Sequence, residues 1–437
     1  MPDNSGVPAG LSRRRFVVGA STGLLAPAIV RPASAQEIVT LTMWAWPPNT
    51  QDEVDAFERA HPNIKVQYVN AGQGAAHFTK MRTALKAGTG LPDVAQVTFD
   101  MIPTFRLADA LIDLVPYGAD KIRNDFVPWS WEQVSSGGKV YGIPWDSGPI
   151  GLLYRDDVLA KYKITPPKTW DEFAESAIKL SKDGSDVFLT DLMLNSGSWM
   201  AGAFWQAGWN PFKVEGTTIS IAVNDAAAKR VASLWQTMLD AKAVEAKPAY
   251  TTEWYTAYDQ GRYATWFIAA WGPVFLSQFA KSSAGLWRAA PAPQWDMGKT
   301  VSSNMGGSTL AVMKQSVHPK EAAELAMWLM DSPISTSMFS SKQFLFPTTM
   351  ALLDSPQFAG APNAFYGGQK VNEVFIESAK HIDRVIEWCP FQDYAHAQMQ
   401  NEMTAAGGGK GTLVQALDRV QDTLVRYAKA QGFTVKT

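Results

Sequence analysis

The chain has 437 residues, with 39 Lys and Arg against 41 Asp and Glu, and its formal net charge is −2. This length predicts two or three domains, because a single hydrophobic core rarely grows so large. A near-neutral charge excludes the basic surface that nucleic acid or an anionic membrane requires. The single cysteine, Cys389, excludes an internal disulfide.

Residues 1–35 have the layout of an export signal. Three arginines at 13–15 precede a short apolar stretch, and small residues form a cleavage site that ends at Ala35. The order Ser-Arg-Arg-Arg-Phe-Val at 12–17 fits the twin-arginine export pattern. The apolar stretch is too short to span a membrane, although an N-terminal anchor helix is the alternative. We expect cleavage after Ala35 and a mature protein that is free in a bacterial periplasm.

Strand and helix patterns alternate over the first sixty residues or so of the mature chain. Apolar residues over 38–44 predict one strand, and alternation over 64–69 predicts a second. Thr50 and Glu53, three residues apart, predict a capping box at the start of the helix that joins these strands. The alternation indicates β-α-β units and therefore a parallel, doubly wound sheet.

A second helix, which ends at Gly88, and a third strand, which ends near Asp100, complete this unit. Doubly wound sheets bind ligands at the carboxyl ends of their strands. Trp44, Trp46 and Asp100 fall at those ends, so the sequence predicts a ligand site there.

The Gly- and Pro-rich segment 138–150 predicts a crossing into a second lobe, where a strand over 151–155 begins. A later apolar strand runs into a helix at Gly272, and the segment 288–316 has the Pro and Gly content of a return crossing. The segment 343–356 is a candidate third crossing. Further helices are predicted over 171–184, 226–244, 318–330 and 411–432.

Catalytic and metal-binding patterns are weak in this sequence. Cys389 has no histidine near it before His396, and none of the five histidines pairs with another at the spacing that places two ligands on one helix face. We therefore expect no metal, no cofactor and no enzyme. Asp100 and Asp146 leave one alternative open, because glycoside hydrolysis uses two carboxylates in a cleft.

Seventeen tryptophans are many for this length, and a large share of them lie beside Gly or Pro instead of inside periodic runs. An indole offers a flat apolar surface and one donor, which suits the C–H face of a sugar ring. Asp, Asn and Gln near these indoles would bind the hydroxyl rim. The pattern favours a carbohydrate ligand. The alternative is core packing, which we expect for Trp235 and Trp328 on helix faces.

Segments spread over nearly the whole mature chain carry a family resemblance. They are "TLTMWAW", "MRTALKAGTGLPDVAQV", "GKVYGIPWDSGPIGLLYRDDVL", "PKTWDEFAESAIKL", "AAWGPVFL" and "GGSTLAVMKQS". With them the chain resembles the extracellular solute-binding proteins of family 1, the periplasmic sugar-binding proteins of ABC transporters. The resemblance implies an α/β, two-lobe periplasmic binding protein fold of type II, with the ligand cleft between lobes joined by crossing segments.

The resemblance also implies a domain plan and partners. Residues 1–35 would be the export signal, 36–148 plus 292–348 would form lobe 1, and 149–291 plus 349–437 would form lobe 2. Hinge closure on the ligand would precede delivery to the membrane permease subunits of an ABC transporter, without catalysis. We expect a small carbohydrate ligand, no nucleic acid partner and a monomer.

Residue patterns and the resemblance together give a set of expected ligand contacts. The residues expected to stack on the ligand are Trp46, Trp145, Trp199 and Trp271. The residues expected to hydrogen-bond to it are Asn49, Gln73, Asp100 and Asp146. The remaining expected contacts are Gly272, Gly306, Gly307, Trp388 and Tyr394, among which the loop at Gly306 would offer backbone N–H groups.

The predicted function is capture of a sugar or oligosaccharide for an ABC importer. A polyol or a glycerol-phosphate compound is the runner-up ligand, although few lysines or arginines fall at the predicted loops to bind a phosphate. Two alternatives come from other classes of protein: a secreted glycosidase that uses Asp100 and Asp146, and a chaperone-like periplasmic protein.

Overall fold

A computed structural model describes residues 37–184, 186–343, 345–382 and 385–437. The predicted export signal lies outside the described residues. Ile38–Thr437 form one compact unit, in which two larger sheets and two small ones are surrounded by helices. In the described part of the chain, no helix has both the length and the apolar character needed to cross a membrane.

The strands of the described residues are short, as is usual for an α/β protein. They are β1 (Val39–Trp44), β2 (Ile64–Val69), β3 (Val94–Thr98), β4 (Ser135–Ser136), β5 (Lys139–Val140), β6 (Ile143–Asp146), β7 (Ile150–Arg155), β8 (Phe212–Glu215), β9 (Thr218–Ile221), β10 (Thr265–Ala269), β11 (Trp287–Pro291), β12 (Ser308–Val312) and β13 (Thr434–Lys436).

The helices lie between these strands. They are α1 (Thr50–Ala60), α2 (Ala75–Ala87), α3 (Ile102–Leu107), α4 (Pro128–Val134), α5 (Asp156–Lys161), α6 (Trp170–Ser181), α7 (Gly197–Gln206), α8 (Ala226–Asp240), α9 (Thr252–Asp259), α10 (Gly272–Phe279), α11 (Pro319–Asp331), α12 (Pro333–Met338), α13 (Met350–Leu353), α14 (Pro356–Ala359), α15 (Val371–Lys380), α16 (Gln392–Gly407) and α17 (Leu413–Ala430). A 3₁₀ turn at Phe99–Met101 and a π-helix at Phe339–Gln343 also border the site discussed below.

The first sheet has five strands in the order β2-β1-β3-β12-β6. β1 runs parallel to β2 and to β3, whereas β12 is antiparallel to β3 and to β6. Leu41 and Met43 of β1 are fully buried, as are Val94 and Val97 of β3, so the covered faces of these strands supply the core. The prediction of a parallel β-α-β-α-β unit is confirmed.

The second sheet has three antiparallel strands in the order β10-β7-β11. Every residue of β10 is buried, and the helix that follows it begins at Gly272, as predicted. β7 occupies the predicted strand over 151–155 and extends it by one residue. A third, small sheet in the order β13-β9-β8 lies beside α17 and contains the end of the chain.

The chain crosses between the two larger sheets at the Gly- and Pro-rich segments that the sequence singles out. The short link between β6 and β7 passes from the first sheet to the second, and the link between β11 and β12 returns. The two links lie side by side, because the backbone N–H of Gly148 donates to Asn304 Oδ1 (2.7 Å) and that of Met305 donates to the carbonyl of Gly148 (2.8 Å). The candidate third crossing, 343–356, contacts the first of these links, because the backbone N–H of Ser147 donates to the carbonyl of Phe346 (2.9 Å).

The predicted capping box at the start of α1 is wrong. Asn49 precedes the helix in a left-handed conformation, with φ 60°, and makes no capping hydrogen bond. Thr50 lies inside the first turn, and its hydroxyl donates to the carbonyl of Pro47 (2.9 Å). Glu53 turns into the protein and accepts a hydrogen bond from Gln343 (3.0 Å), because its side chain is buried by the π-helix instead of lying at the solvent-exposed helix end.

Candidate ligand-binding cleft

A cavity of about 460 Å³ lies between the elements of the two larger sheets, within the usual size range of small-molecule sites. Thr98 and Asp100, at the carboxyl end of β3, line it on the side of the first sheet. On the opposite side it is lined by Asn195 to Ser198 at the start of α7 and by α16. Gly306 and Trp388, both predicted, also line it.

Asp100 and His396 contact each other in the wall of this cavity. Asp100 Oδ2 lies 3.4 Å from His396 Nδ1, and each side chain is about one-fifth exposed. Burial lowers the pKa of His396, and the carboxylates of Asp100 and Asp393 partly oppose that shift. Burial therefore favours the neutral imidazole, whose Nε2 is itself buried and has no hydrogen-bond partner among the described residues.

Trp388 supplies an aromatic part of the cavity wall. Its indole N–H donates to Gln133 Oε1 (2.7 Å), which anchors the ring to α4. The ring packs edge-to-face against the imidazole of His396, with centroids 6.1 Å apart. The hydrogen bond fixes the indole plane, so Trp388 is a rigid surface of the kind that recognises a ring-shaped ligand.

Trp46 lies behind the cavity wall. Its ring contacts His77 at 4.9 Å and Phe78 at 6.2 Å between centroids, and Phe78 itself lines the cavity. Its backbone N–H donates to Gln96 Oε1 (3.0 Å). The carboxyl end of β1 is therefore close to the cavity, but the direct contact belongs to Phe78.

Trp271 lies close to two residues that line the same cavity, Gly306 and Tyr250. Its indole N–H donates to the carbonyl of Met305 (3.0 Å), next to Gly306, and its ring centroid lies 6.4 Å from that of Tyr250, which lines the cavity. Gly272 has a different role from the one expected. It is buried, and a Cβ there would lie 2.6 Å from Ile268 Cγ2, so this glycine allows α10 to pack on β10.

Two of the predicted stacking residues belong to the core. Trp199 is 3% exposed, its indole N–H donates to the carbonyl of Phe267 (3.0 Å), and its ring packs on that of Trp235 at 5.3 Å. Trp145 is 4% exposed, inside the core of the first sheet. Neither indole presents a face to the cavity, so the prediction that they stack on ligand is corrected to a packing role.

Asp146 and Gly307 stabilise the crossing region. Burial raises the pKa of Asp146 to about 6, and Ser308 donates a short hydrogen bond to its carboxylate. Gln96 Nε2 donates in turn to Ser308 Oγ (2.8 Å). Gly307 has φ +89°, and a Cβ there would lie 2.8 Å from the carbonyl of Asp146. Neither residue lines the cavity, so both lie outside the expected contact surface.

The other three predicted contacts lie at the periphery. Asn49 Nδ2 donates to the carbonyl of Lys342 (2.9 Å), which ties the loop after β1 to the π-helix. Gln73 is exposed and precedes Gly74, which lines the cavity. Tyr394 stacks on Tyr427, with ring centroids 3.9 Å apart, so its ring is engaged within the α16–α17 pair.

Sequence reasoning missed most of the polar lining. Tyr250, Asn195, Ser196 and Asn304 come from irregular segments, where no periodic pattern reveals them. One signal was available. Asp393, His396 and Gln400 follow one another at helical spacing and form a polar stripe on one face of α16.

No group of three or more His, Cys, Asp or Glu that could hold a metal occurs among the residues with described positions.

Comparisons with known proteins agree with this geometry. The model of the bacterial extracellular solute-binding protein family matches residues 45–333. The arabinooligosaccharide-binding protein of Bacillus subtilis (strain 168) is 27% identical over 280 residues, which are 62% of this chain and 63%, less than two thirds, of that relative. The lactose-binding protein of Rhizobium radiobacter is 24% identical over 363 residues, which are 77% of this chain and 81% of that protein.

A solved structure is also similar over almost the whole chain. It is the ABC transporter associated binding protein from B. animalis subsp. lactis Bl-04 in complex with beta-1,6-galactobiose, with a TM-score of 0.81 and 27% identity. The match covers 92% of this chain and 100% of that one. The two-lobe α/β fold of type II predicted from the sequence is confirmed, and the chain belongs to the bacterial extracellular solute-binding protein family.

Proposed function

We propose that this protein captures a neutral sugar or oligosaccharide in the cleft and delivers it to an ABC import permease. The observation that carries the proposal is the lining of the cavity. It combines a fixed indole at Trp388 with the imidazole of His396 and with the polar side chains of Asn195 and Gln400. Relatives named for arabino-oligosaccharides and lactose support the same ligand class.

The charge of the lining disfavours an anionic ligand. Asp100 and Asp393 are the charged groups that line the cavity, together with the neutral His396, and no Lys or Arg is among the described lining residues. A phosphate or a carboxylate would meet like charge without a compensating cation. The glycerol-phosphate alternative is therefore weaker than a neutral sugar, and a neutral polyol differs from a sugar mainly in lacking a ring to stack on Trp388.

Lobe closure is the proposed mechanism. Residues 36–148 plus 292–348 would form lobe 1, and 149–291 plus 349–437 would form lobe 2. The first sheet and the second sheet, one within each segment pair, support this division. The three hydrogen-bonded crossing segments would act as the hinge, and a closed form that is selected by ligand would present a new surface to the permease.

In this proposal the protein binds its ligand and does not convert it chemically. Glycoside hydrolysis needs two carboxyl groups that flank the scissile bond. Asp146 does not line the cavity and is engaged by Ser308, and Asp393, which does, forms an ion pair with Arg82 at 2.8 Å. The proposal also includes export to the periplasm and a monomeric state. Export agrees with the extracellular family to which the chain belongs.

Calorimetric titration of residues 36–437 with arabino-oligosaccharides, lactose, galactobiose and polyols tests this function. Tyr250 is 40% exposed and lines the cavity, so Tyr250→Ala should weaken binding by about tenfold, equivalent to about 1.4 kcal/mol. Phe279→Ala, which removes a half-exposed ring outside the cavity, should leave the affinity unchanged. A folded protein that binds none of these compounds, or that hydrolyses a glycoside, would reject the proposal.

A further inference from the structure

A second cavity, of about 720 Å³, adjoins Trp271. Ala270 and Pro273, the neighbours of the Trp271-Gly272 pair in sequence, line this second cavity. The indole of Trp271 meanwhile reaches toward the first cavity, since its N–H donates to the carbonyl of Met305 and its ring lies near Tyr250. Trp271 therefore lies between residues that line the first cavity, Gly306 and Tyr250, and its own sequence neighbours, which line the second.

Elements associated with both sheets enclose the second cavity. On one side are Ser337 of α12 and Ser340 of the π-helix. These elements pack on α1, and Lys342 of the π-helix forms an ion pair with Asp52. On the other side is α10, which follows β10 of the second sheet. A ligand here would therefore contact elements associated with both larger sheets, as a ligand in the first cavity would.

The described lining of the second cavity is neutral. It contains five serines, together with Gln357, Asn363 and Asn372, and no Asp, Glu, Lys, Arg or His. Apolar surface comes from Pro273 and Phe358, among others. The first cavity is lined by two carboxylates and an imidazole, whereas the described lining of the second offers no charged side chain for an ionic contact with a ligand. Alternating hydroxyl, amide and apolar surface matches a ligand that carries hydroxyl groups on an apolar ring.

Three of the five serine hydroxyl groups in this lining already donate a hydrogen bond within the protein. Ser340 Oγ and Ser341 Oγ donate to the carbonyl of Ser337 (3.0 and 2.8 Å), and Ser277 Oγ donates to the carbonyl of Val274 (2.8 Å). A hydroxyl has one proton and two lone pairs, so a serine whose proton is used within the protein still accepts from a ligand. The cavity therefore suits a neutral ligand that donates many O–H groups.

We propose that the second cavity binds further units of the same oligosaccharide that occupies the first, so that the physiological ligand is a chain that passes Trp271 and not a mono- or disaccharide. This inference rests on the proposed function. It assigns the second cavity to recognition of chain length, because a short sugar in the first cavity would leave Ser337, Ser340 and Asn372 without a ligand partner.

Titration with arabino-oligosaccharides and with β-1,6-galacto-oligosaccharides of two to five units tests the assignment. In one of these series the wild-type protein should bind the longer members about tenfold or more tightly than the disaccharide. Ser337→Trp places an indole in the second cavity from an exposed position on α12, and it should abolish this gain while leaving the disaccharide affinity within about twofold.

The matched control is Ile334→Trp, an exposed position on the same helix that is not among the residues lining the cavity, and it should preserve the gain. Gln357→Trp, exposed on α14, repeats the block from the opposite wall should Ser337→Trp fail to fold. Affinity that does not depend on chain length, or a gain that survives both blocking variants, overturns the inference while leaving the proposed function intact. Absence of binding to any member of either series overturns both.

Discussion

Arg82 of α2 and Asp393 of α16 form an ion pair, with 2.8 Å between Nη1 and Oδ2. α2 packs on the first sheet through Met81, whereas α16 packs on α7 and α17, away from that sheet. Asp393 also lines the cavity, beside the contact between Asp100 and His396. Both polar contacts therefore join α16 to residues beside the first sheet at one edge of the cavity, and in the proposed closure mechanism they would hold that edge closed.

Removal of the Arg82 guanidinium should favour the open form. Both partners are about two-fifths exposed, so the pair contributes no more than about 1 kcal/mol. In Arg82→Ala we expect dissociation of a bound sugar to be faster by about twofold to fivefold, as followed by stopped-flow tryptophan fluorescence. Small-angle scattering of the ligand-free variant should show a larger radius of gyration.

Arg426→Ala provides the control for that experiment, because the Arg426 guanidinium donates to Thr423 Oγ1 (3.0 Å) within α17. It should change neither the rate nor the radius. Equal dissociation rates for Arg82→Ala and the wild type would show that the ion pair does not contribute to closure.

The adjacent glycines 306 and 307 should respond differently to alanine. Both have positive φ, +81° and +89°, so each substitution carries a backbone strain of about 1–2 kcal/mol. A Cβ at Gly306 meets only Trp271 Nε1, at 3.6 Å, whereas one at Gly307 overlaps Phe99 Cε2 at 2.7 Å and the carbonyl of Asp146 at 2.8 Å. We expect Gly307→Ala to lower the free energy of unfolding by about 2 kcal/mol more than Gly306→Ala.

Urea denaturation of both variants measures that difference, and Gly306→Ala is itself the matched control for strain. Similar losses in the two variants would mean that the contacts behind Gly307 relax, and that backbone conformation alone requires glycine there.

The sequence predicts a ligand site at strand ends, and the structure has a cavity there, but only some of the expected contact residues line it. Asp100 follows a strand whose parallel pairing the alternating pattern predicts, so its place at the cavity follows from topology alone. Trp199 was misassigned because α7 is buried on all sides, and a helix without a polar face has no periodicity to distinguish core from site. His396 is not among the expected ligand contacts, since only folding brings α16 next to Asp100.

Local signals also fail where a tertiary contact competes with them. Thr50 and Glu53 have the spacing of a capping box, yet Gln343, almost three hundred residues away in sequence, hydrogen-bonds to Glu53. The tertiary contact buries the carboxyl, and no local pattern carries that information.

Loss of the Ser308 hydroxyl should destabilise the crossing region in a pH-dependent way. Ser308→Ala leaves the buried carboxylate of Asp146 and the amide of Gln96 without their shared partner, at a cost of about 1–3 kcal/mol. The pKa of Asp146 is already raised to about 6, and the Ser308 hydrogen bond opposes that rise. Its removal raises the pKa further, so stability falls more at pH 8 than at pH 5, where the carboxyl is largely protonated.

Urea denaturation at the two pH values checks this expectation, with Ser233→Ala, an exposed serine on α8, as the control. A loss that is the same at pH 5 and pH 8 would indicate that only the Gln96 partner matters.

Glu53 should make the wild-type protein lose stability as pH rises through neutrality. The side chain is 1% exposed, and burial raises its pKa to about 8, so the folded state holds a proton that the unfolded state releases near pH 4.5. Because the pKa is raised on folding, this contribution to the free energy of unfolding is complete below pH 4.5 and declines by up to about 1.4 kcal/mol per pH unit until pH 8.

Glu53→Gln keeps the shape of the side chain and removes its titration, so the free energy of unfolding of this variant should show a flatter pH profile between 5 and 8. Glu253→Gln, exposed on α9, should reproduce the wild-type slope, and parallel profiles for Glu53→Gln and the wild type would show that Glu53 is ionised in the folded protein.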